Sequence, residues 1–219
     1  MSLLVYGIVE NGDVAPAGCG LDDHPLYEVA EDGLAAIVSD HGARAPESTA
    51  SALQAYERTV RRLMDGGAIL PAQFGSLLPD KAAVRELLCN RRKDLLGRLA
   101  RVRGAVEIGL RASWRDDPAR ALDRRPVSGS SYLRDRLELR QSARRVATEL
   151  DPLTALARGS RRALALRPDL PVLDAYLVDR GRVEEFVAMV EQLDDRLDDV
   201  ELVCTGPWPP YSFAEGAPV

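Results

Sequence analysis

Hydrophobic positions form short runs typical of β-strands within the first forty residues, separated by a loop without periodicity from Val14 to Pro25. The run Leu3 to Val9 is rich in branched and aromatic residues and predicts a central strand. Two further apolar runs, Leu26 to Val29 and Leu34 to Ser39, flank the pair Asp32-Gly33. Asp-Gly pairs accept the positive φ angles that tight hairpins require. The pattern therefore predicts a strand followed by a β-hairpin.

The period then lengthens to that of an amphipathic helix. Apolar residues recur at helical spacing from about Glu47 to Met64 and again from Asp80 to about Leu99. Gly66-Gly67 is expected to end the first helix, since glycine tolerates the left-handed conformation of a helix C-terminus, and Asp80 is expected to cap the second. Two helices with one buried face each follow from this pattern.

The stretch Ala68 to Pro79 lies between these helices and is the segment around which the first half is organised. Pro71 removes a hydrogen-bond donor and Gly75 weakens regular pairing, so we interpret the stretch as a bent strand or strand-loop that crosses a core. Phe74 is expected to fill that core. Strand, hairpin, helix, bent strand and helix make an N-terminal α+β domain, expected to span residues 1–101.

A second set of elements begins near Arg103. Strand patterns cover residues 105–112, 162–167, 172–178 and 200–205. One helical pattern begins at about residue 130 and a second covers 183–197, so the elements follow one another in the order β-α-β-β-α-β. This order predicts a ferredoxin-like domain, in which two helices cover one face of a four-stranded antiparallel sheet. We assign it residues 102–219, including an aromatic and proline-rich tail at 206–219. The polar connection 116–131 is expected to be the most mobile internal loop.

The long helix of the second half carries an apolar stripe that indicates which of its faces is buried. The stripe consists of Leu133, Leu137, Val146 and Leu150. Asp151-Pro152 interrupts the helix, because a residue before proline avoids the helical region.

Charge and length restrict the classes of function. The chain has 219 residues and a formal net charge of −5, which disfavours nucleic acid as the main partner because phosphate binding needs a basic surplus. No apolar run approaches the roughly 20 residues of a membrane-spanning helix. The first residues also lack the basic start of a signal peptide, so we expect a cytoplasmic protein without a membrane span.

Residue patterns that carry catalytic chemistry are missing from the sequence. The three cysteines, Cys19, Cys89 and Cys204, have no CxxC spacing, and His24 and His41 have no second ligand at metal-binding distance in sequence. Neither a phosphate-binding glycine loop nor a nucleophile elbow follows a predicted strand. The acidic residues between Asp194 and Glu201 are interpreted as a solvated face. We therefore predict no catalytic residue, no metal and no cofactor.

The tail is the most specific feature of the second half. One proline before Trp208 and two after it impose an extended path that presents Trp208 and Tyr211 as rigid groups. Two interpretations remain open at this point, a tail packed on its own domain and a tail that contacts a partner directly.

Five segments taken together resemble one known family. They are Leu4-Val5-Tyr6-Gly7-Ile8-Val9, Ile69-Leu70-Pro71-Ala72-Gln73-Phe74-Gly75, Val106-Glu107-Ile108-Gly109, Tyr132-Leu133 and Gly206-Pro207-Trp208-Pro209-Pro210-Tyr211-Ser212-Phe213. Their content and order are similar to those of the gas vesicle GvpF/GvpL family, over nearly the whole chain. Two positions depart from the family pattern, since Gln73 replaces a usual arginine and Tyr56 replaces a common histidine.

The resemblance implies an accessory protein of gas vesicle formation without catalytic activity. It implies association with gas vesicles and binding to the small hydrophobic shell protein, to other accessory proteins, or to both. The candidate partner-binding residues are Trp208, Tyr211, Phe213 and Gln73. Assignment to the F type or the L type stays open.

A different class of function is compatible with the predicted fold, because ferredoxin-like domains host many unrelated functions. The alternative is a ferredoxin-like module that binds a small molecule or acts as an enzyme. A pocket with convergent polar groups would favour this alternative, whereas an apolar groove or an open sheet edge would favour the assembly role.

Overall fold

A computed structural model of the chain describes residues 2–42, 44–115, 129–167 and 170–214. The chain divides into two compact units, one formed by Met1–Ala105 with Trp208–Val219 and the other by Val106–Pro207. The aromatic end of the tail therefore groups with the first unit, whereas the sequence prediction placed it in the second domain. Helices and antiparallel strand pairs occur in both units, which confirms the α+β class.

The first unit is built on a sheet with a fully buried central strand. Its described elements are β1 Ser2–Glu10, β2 Tyr27–Glu31, β3 Leu34–His41, α1 Ala50–Gly66, β4 Leu70–Pro71, β5 Leu77–Leu78, α2 Lys81–Asn90 and α3 Arg92–Val102. The strands run in the order β2-β3-β1-β4, and β5 also pairs with β1. Every residue from Leu3 to Val9 is buried.

The predicted hairpin is confirmed. Strands β2 and β3 pair antiparallel from Tyr27↔Val38 to Glu31↔Leu34. Asp32 has a φ of 48° and Gly33 a φ of 83°, the positive angles expected of a tight hairpin turn.

The predicted bent strand across the core is also confirmed. Both short strands of the central stretch pair antiparallel with β1, at Gly7↔Pro71 and at Leu3↔Leu78. Gly75, with a φ of 83°, lies in the bend between them. The approach is close at Gly7, where an added Cβ would lie 2.6 Å from Cδ1 of Ile69. Gly7 thus allows the central stretch to cross β1.

The helix ends of this unit agree only in part with the prediction. Asp80 caps α2 as expected, because its carboxylate accepts a hydrogen bond from the Ala83 amide at 2.9 Å. The prediction of a glycine in the left-handed conformation at the end of α1 is wrong, since Gly67 has an extended φ of 172°. A Cβ at Gly67 would lie 3.0 Å from Val14 Cγ2, so close packing is the reason for glycine there. The helix predicted after Asp80 is two helices, separated at Arg91 without any proline or glycine.

The second unit contains four strands and two α-helices among its described residues. They are β6 Ala105–Trp114, α4 Gly129–Glu149, β7 Gly159–Arg167, β8 Leu170–Asp179, α5 Val183–Asp194 and β9 Val200–Trp208. The strand order is β7-β8-β6-β9, and β7 pairs antiparallel with β8. Residues 116–128 of the expected mobile loop lie outside the described residues. No helix in the described ranges is long and apolar enough to cross a membrane.

The apolar stripe predicted for α4 is buried in only one half of the helix. Val146 and Leu150 are fully buried, and α4 packs on β7 and β8. Leu133 and Leu137 are instead 62% and 58% exposed. The prediction is therefore wrong for the N-terminal half, because helical periodicity continues beyond the part of α4 that packs on the sheet.

A charged network lies inside the second unit. The side chain of Asp174 has no exposed surface. Its Oδ2 atom accepts hydrogen bonds from the Tyr176 hydroxyl at 2.8 Å and from Arg162 Nε at 2.9 Å. Arg162 also donates to Asp151 at 2.8 Å. The Tyr176 ring packs on Phe186 of α5 with centroids 5.1 Å apart, so Asp174 and Tyr176 are part of the core, whereas Arg162 and Asp151 extend the network to the surface.

Candidate functional site

The aromatic tail lies on the first unit and is held there by buried residues. Pro209 and Pro210 are buried, and the next residues form the short 3-10 turn Tyr211–Phe213. Phe213 exposes only 4% of its surface. The guanidinium of Arg101 lies 5.8 Å from the centre of its ring. The tail is therefore anchored rather than extended into solvent.

Trp208 is half-buried, and one face of its ring is covered by a cation. The guanidinium carbon of Arg61, on α1, lies 4.6 Å from the ring centre. This distance is typical of a cation–π contact, which contributes about 0.5–1 kcal/mol at a partly exposed site. Arg61 therefore fixes the orientation of the indole and leaves part of it accessible.

Glu57 connects Tyr211 to the same arginine. The Tyr211 hydroxyl donates to Glu57 Oε2 at 3.1 Å, and Glu57 Oε1 lies 3.6 Å from Arg61 Nη2. Glu57 and Arg61 are four residues apart on α1, so they share one face of the helix. The contacts form a chain from Tyr211 through Glu57 and Arg61 to Trp208, and this chain joins the tail to α1.

An exposed leucine continues this face of α1. Leu53 lies one turn before Glu57 and is 44% exposed. It adds an exposed apolar side chain to the face of α1 that carries Glu57 and Arg61. We call this region the tail surface, and define it by Leu53, Glu57, Arg61, Trp208 and Tyr211.

Tyr56 anchors α1 beneath the tail surface. It is 2% exposed, and its hydroxyl donates to the Val5 carbonyl at 2.7 Å and lies 3.0 Å from the Ala72 carbonyl. Its ring stacks on Tyr6 with centroids 5.0 Å apart. Burial raises the pKa of Tyr56 well above its ordinary value, and neighbouring Tyr211 adds to the rise. Tyr56 thus ties α1 to β1 and to the central stretch.

The central stretch contributes one exposed and one half-buried side chain. The side chain of Gln73 is exposed, and the backbone carbonyl of Gln73 lies 3.3 Å from the Tyr56 hydroxyl. Phe74 packs edge-on against Tyr56 with centroids 5.4 Å apart and remains half-buried. The expectation that Phe74 fills the core is wrong, because Tyr56 occupies that position and Phe74 covers its edge.

The four residues singled out from the sequence occupy three different environments. Trp208 and Tyr211 both contact side chains of α1, while Phe213 is buried and anchors the tail. Gln73 lies on the central stretch, next to the Tyr56 hydroxyl. The sequence signal missed Glu57 and Arg61, because an acid and an arginine four residues apart on a helix are typical of a solvated face.

Metal-ligating groups do not converge in the part of the chain that the structure describes. No three side chains of His, Cys, Asp or Glu come close enough together there to hold a metal ion. The chemistry that the tail surface offers is aromatic stacking, a cation and one exposed aliphatic group.

Comparison with known proteins places the whole chain in one family. The model of the family described as gas vesicle synthesis protein GvpL/GvpF matches residues 2–215. Gas vesicle protein F of a Streptomyces species is 28% identical over 98% of this chain and 100% of its own length. Gas vesicle protein F2 of Halobacterium salinarum is 26% identical over 97% and 92%. Gas vesicle protein L of the Streptomyces species is 33% identical over 75% and 69%.

Solved structures show the same fold. The crystal structure of gas vesicle protein GvpF from an Anabaena species has a TM-score of 0.79 at 20% identity, with 98% of both chains covered. GvpF from Microcystis aeruginosa has a TM-score of 0.74 at 20% identity and covers 98% of this chain and 99% of its own. The resemblance seen in the five sequence segments is confirmed, and the chain belongs to the gas vesicle GvpL/GvpF family.

Proposed function

We propose that this chain is a non-enzymatic accessory protein of gas vesicle assembly, which binds the small hydrophobic shell protein, other accessory proteins, or both. Family membership supports the gas vesicle role. One observation carries the proposed binding site: the indole of Trp208 is held on α1 by Arg61 and stays partly exposed.

The composition of the tail surface supports a role in protein recognition. Tryptophan, tyrosine and arginine are the residue types that dominate binding energy in protein interfaces. Arg61, Glu57 and the buried tail residues already order Trp208 and Tyr211, so binding would cost little further side-chain entropy. A shell subunit that will face gas exposes apolar surface before assembly. The indole together with Leu53 offers a matching apolar contact.

We propose that the second unit has a ferredoxin-like fold. Its strand order β7-β8-β6-β9, with α4 and α5 in the connections, supports this description. We further propose a cytoplasmic location in association with the gas vesicle. Nucleic acid is not a proposed partner, because the net charge of −5 would repel a polyanion.

A pull-down with the shell protein of the same organism tests the proposal. We expect Trp208→Ala to weaken binding about 30-fold, which corresponds to the roughly 2 kcal/mol typical of a truncated interface tryptophan. Trp114→Ala is the matched control, because Trp114 is also half-buried and lies at the end of β6 in the other unit. Thermal unfolding of both variants identifies any loss of binding that results from unfolding.

Two results would contradict different parts of the proposal. Equal binding by folded Trp208→Ala and by the parent chain would remove the tail surface as the site. Failure of the parent chain to bind the shell protein and every accessory protein tested would reject the function itself.

A further inference from the structure

A basic depression lies on the outer face of α3, away from the tail surface residues. Its volume is about 620 Å³, and the residues that line it include Arg91, Lys93, Asp94, Gly97, Arg98 and Arg101. We call it the α3 groove. The opposite face of the same helix carries the buried residues Leu95, Leu99 and Val102. The groove therefore lies on the solvent-facing side of a helix whose other side packs in the core.

The α3 groove carries a surplus of positive charge. Asp94 accepts hydrogen bonds from Arg98 Nε at 2.7 Å and from Arg91 Nη2 at 2.8 Å. These two arginines hold the pKa of Asp94 below its ordinary value. Asp94 thus pairs with two of the basic residues that line the groove. Lys93 is exposed and has no ion-pair partner within the described ranges, so part of the surplus is free to attract an anion.

Gly97 lies in the middle of α3 and leaves the floor of the groove bare. Glycine in a helix interior is less favourable than alanine, so its presence usually has a packing reason. Here an added Cβ would meet nothing within 4 Å, and Gly97 is not at a positive φ. Packing within the described chain therefore does not require glycine. A partner whose backbone approaches α3 closely would require it.

We propose that the α3 groove binds an acidic segment of a partner protein, with the backbone of that segment passing over Gly97. The eleven residues from Arg91 to Arg101 span about 15 Å, the length of roughly five residues of extended chain. A protein segment is favoured over nucleic acid because no aromatic side chain for base stacking occurs among the described residues that line the groove, and because the groove contains the carboxylate of Asp94. This site is independent of the tail surface and goes beyond the proposed function.

A labelled heptaglutamate peptide is the probe that tests this proposal on the full-length chain. Fluorescence anisotropy should show binding at low salt that weakens strongly at about 0.5 M NaCl, because salt screens such contacts. We expect Lys93→Glu to weaken binding about three- to tenfold. Arg144→Glu is the matched control, since it makes the same charge change on an exposed residue of α4 and should leave the affinity within about twofold.

The variant Gly97→Leu distinguishes binding in the groove from a general attraction between charges. Leucine fills the floor of the groove but is a better helix former than glycine, so the melting temperature should stay equal or rise by about 2–4 °C. Peptide binding should nevertheless fall about tenfold or more, since the backbone of the peptide can no longer approach the helix. Loss of binding without loss of stability is the result expected of a binding site alone.

Four outcomes would overturn the proposal. The parent chain could fail to bind heptaglutamate, or Lys93→Glu and Gly97→Leu could bind it as tightly as the parent. A twelve-nucleotide single strand of DNA that binds in the groove more tightly than the peptide would make nucleic acid the ligand. Self-association of the chain that Lys93→Glu abolishes, measured by analytical ultracentrifugation, would make a second copy the occupant.

Discussion

The two units of the chain each bury a tyrosine between a helix and a sheet, but they satisfy its hydroxyl in different ways. In the first unit the Tyr56 hydroxyl donates to a backbone carbonyl, that of Val5. In the second unit the Tyr176 hydroxyl donates to the carboxylate of Asp174, which also holds Arg162. One unit therefore contains a neutral polar contact in its core, and the other contains a buried carboxylate paired with a partly exposed arginine.

This difference shows where each unit is vulnerable. A buried carboxylate that loses its cation keeps its desolvation cost, whereas a carbonyl that loses one neutral donor costs much less. The first unit has a different dependence, because its α1 face is covered by residues from the far end of the chain. Tyr211 and Glu57 are 154 positions apart. The second unit is sensitive to the loss of one charge of a pair, and the first unit depends on a distant segment of the chain.

The largest effect is expected from removing the cation that pairs with the buried carboxylate of Asp174. Arg162→Ala should destabilise the protein by about 3–5 kcal/mol, because it leaves Asp174 charged and unpaired. Urea unfolding measures the loss, and amide hydrogen exchange should accelerate in β7 and β8 more than in β1. The matched control is the triple variant Arg162→Met, Asp174→Leu and Tyr176→Phe, which removes both charges together with the hydroxyl that would lose its acceptor, and it should lie close to the parent. A loss below about 1 kcal/mol in Arg162→Ala would contradict the importance of the ion pair.

The next effect tests the dependence of the first unit on the tail. Phe213→Ala should cost about 3 kcal/mol, since a nearly fully buried ring is lost, and exchange should accelerate in β1 and α1 rather than in β8. Phe74→Ala makes the same chemical change at a half-buried ring and should cost about 1–2 kcal/mol. Equal losses in the two variants would mean that the tail is not a structural part of the first unit.

A smaller effect compares the two hydroxyl groups directly. Tyr56→Phe should cost about 1 kcal/mol, the usual contribution of a neutral hydrogen bond, and Tyr176→Phe about 1.5–3 kcal/mol, because its partner is charged. Chemical denaturation of both variants gives the two values. If Tyr56→Phe were the more damaging change, the distinction between a neutral and a charged core contact would be wrong.

Alkaline pH should destabilise both units. Burial raises the pKa of Tyr56 and of Tyr176, and burial together with Asp40 raises that of Tyr27 to about 12. A raised tyrosine pKa favours the neutral form in the folded state, so this stability is complete below about pH 10 and is lost as the pH rises toward the folded value. Tyrosinate absorbance from the buried rings should therefore appear together with the loss of circular dichroism. Their full ionisation near pH 10 in a chain that keeps its native spectrum would contradict the burial.

Local features of the fold were predictable from the sequence. The positive φ angles of Asp32-Gly33 and the cap at Asp80 depend on residues within one turn of chain, and both are confirmed. The break at Arg91 was not predictable, because neither proline nor glycine marks it. The stripe of α4 also failed as a guide, since periodicity cannot distinguish buried Val146 from exposed Leu133. Which part of a helix is covered depends on elements distant in sequence.

The candidate site was predictable only through its aromatic residues. Trp208 and Tyr211 stand out because prolines flank them, but nothing in the tail specifies the helix on which it lies. Glu57 and Arg61 resemble any exposed ion pair in the sequence. Phe213, expected to contact a partner, is buried because the tail returns to the first unit, and Phe74, expected in the core, is only half-buried against Tyr56. These contacts are non-local, and local patterns carry no information about them.

The most direct test of the account uses Trp208 as its own reporter. The chain has two tryptophans, so Trp114→Phe leaves Trp208 as the single emitter. Titration with the shell protein should shift the emission of Trp208 to the blue and protect it from acrylamide quenching, because the partner covers the exposed part of the indole. The reverse variant, Trp208→Phe, reports from Trp114 and should not respond. Binding that changes the emission of Trp114 and leaves that of Trp208 unchanged would contradict docking at the tail surface.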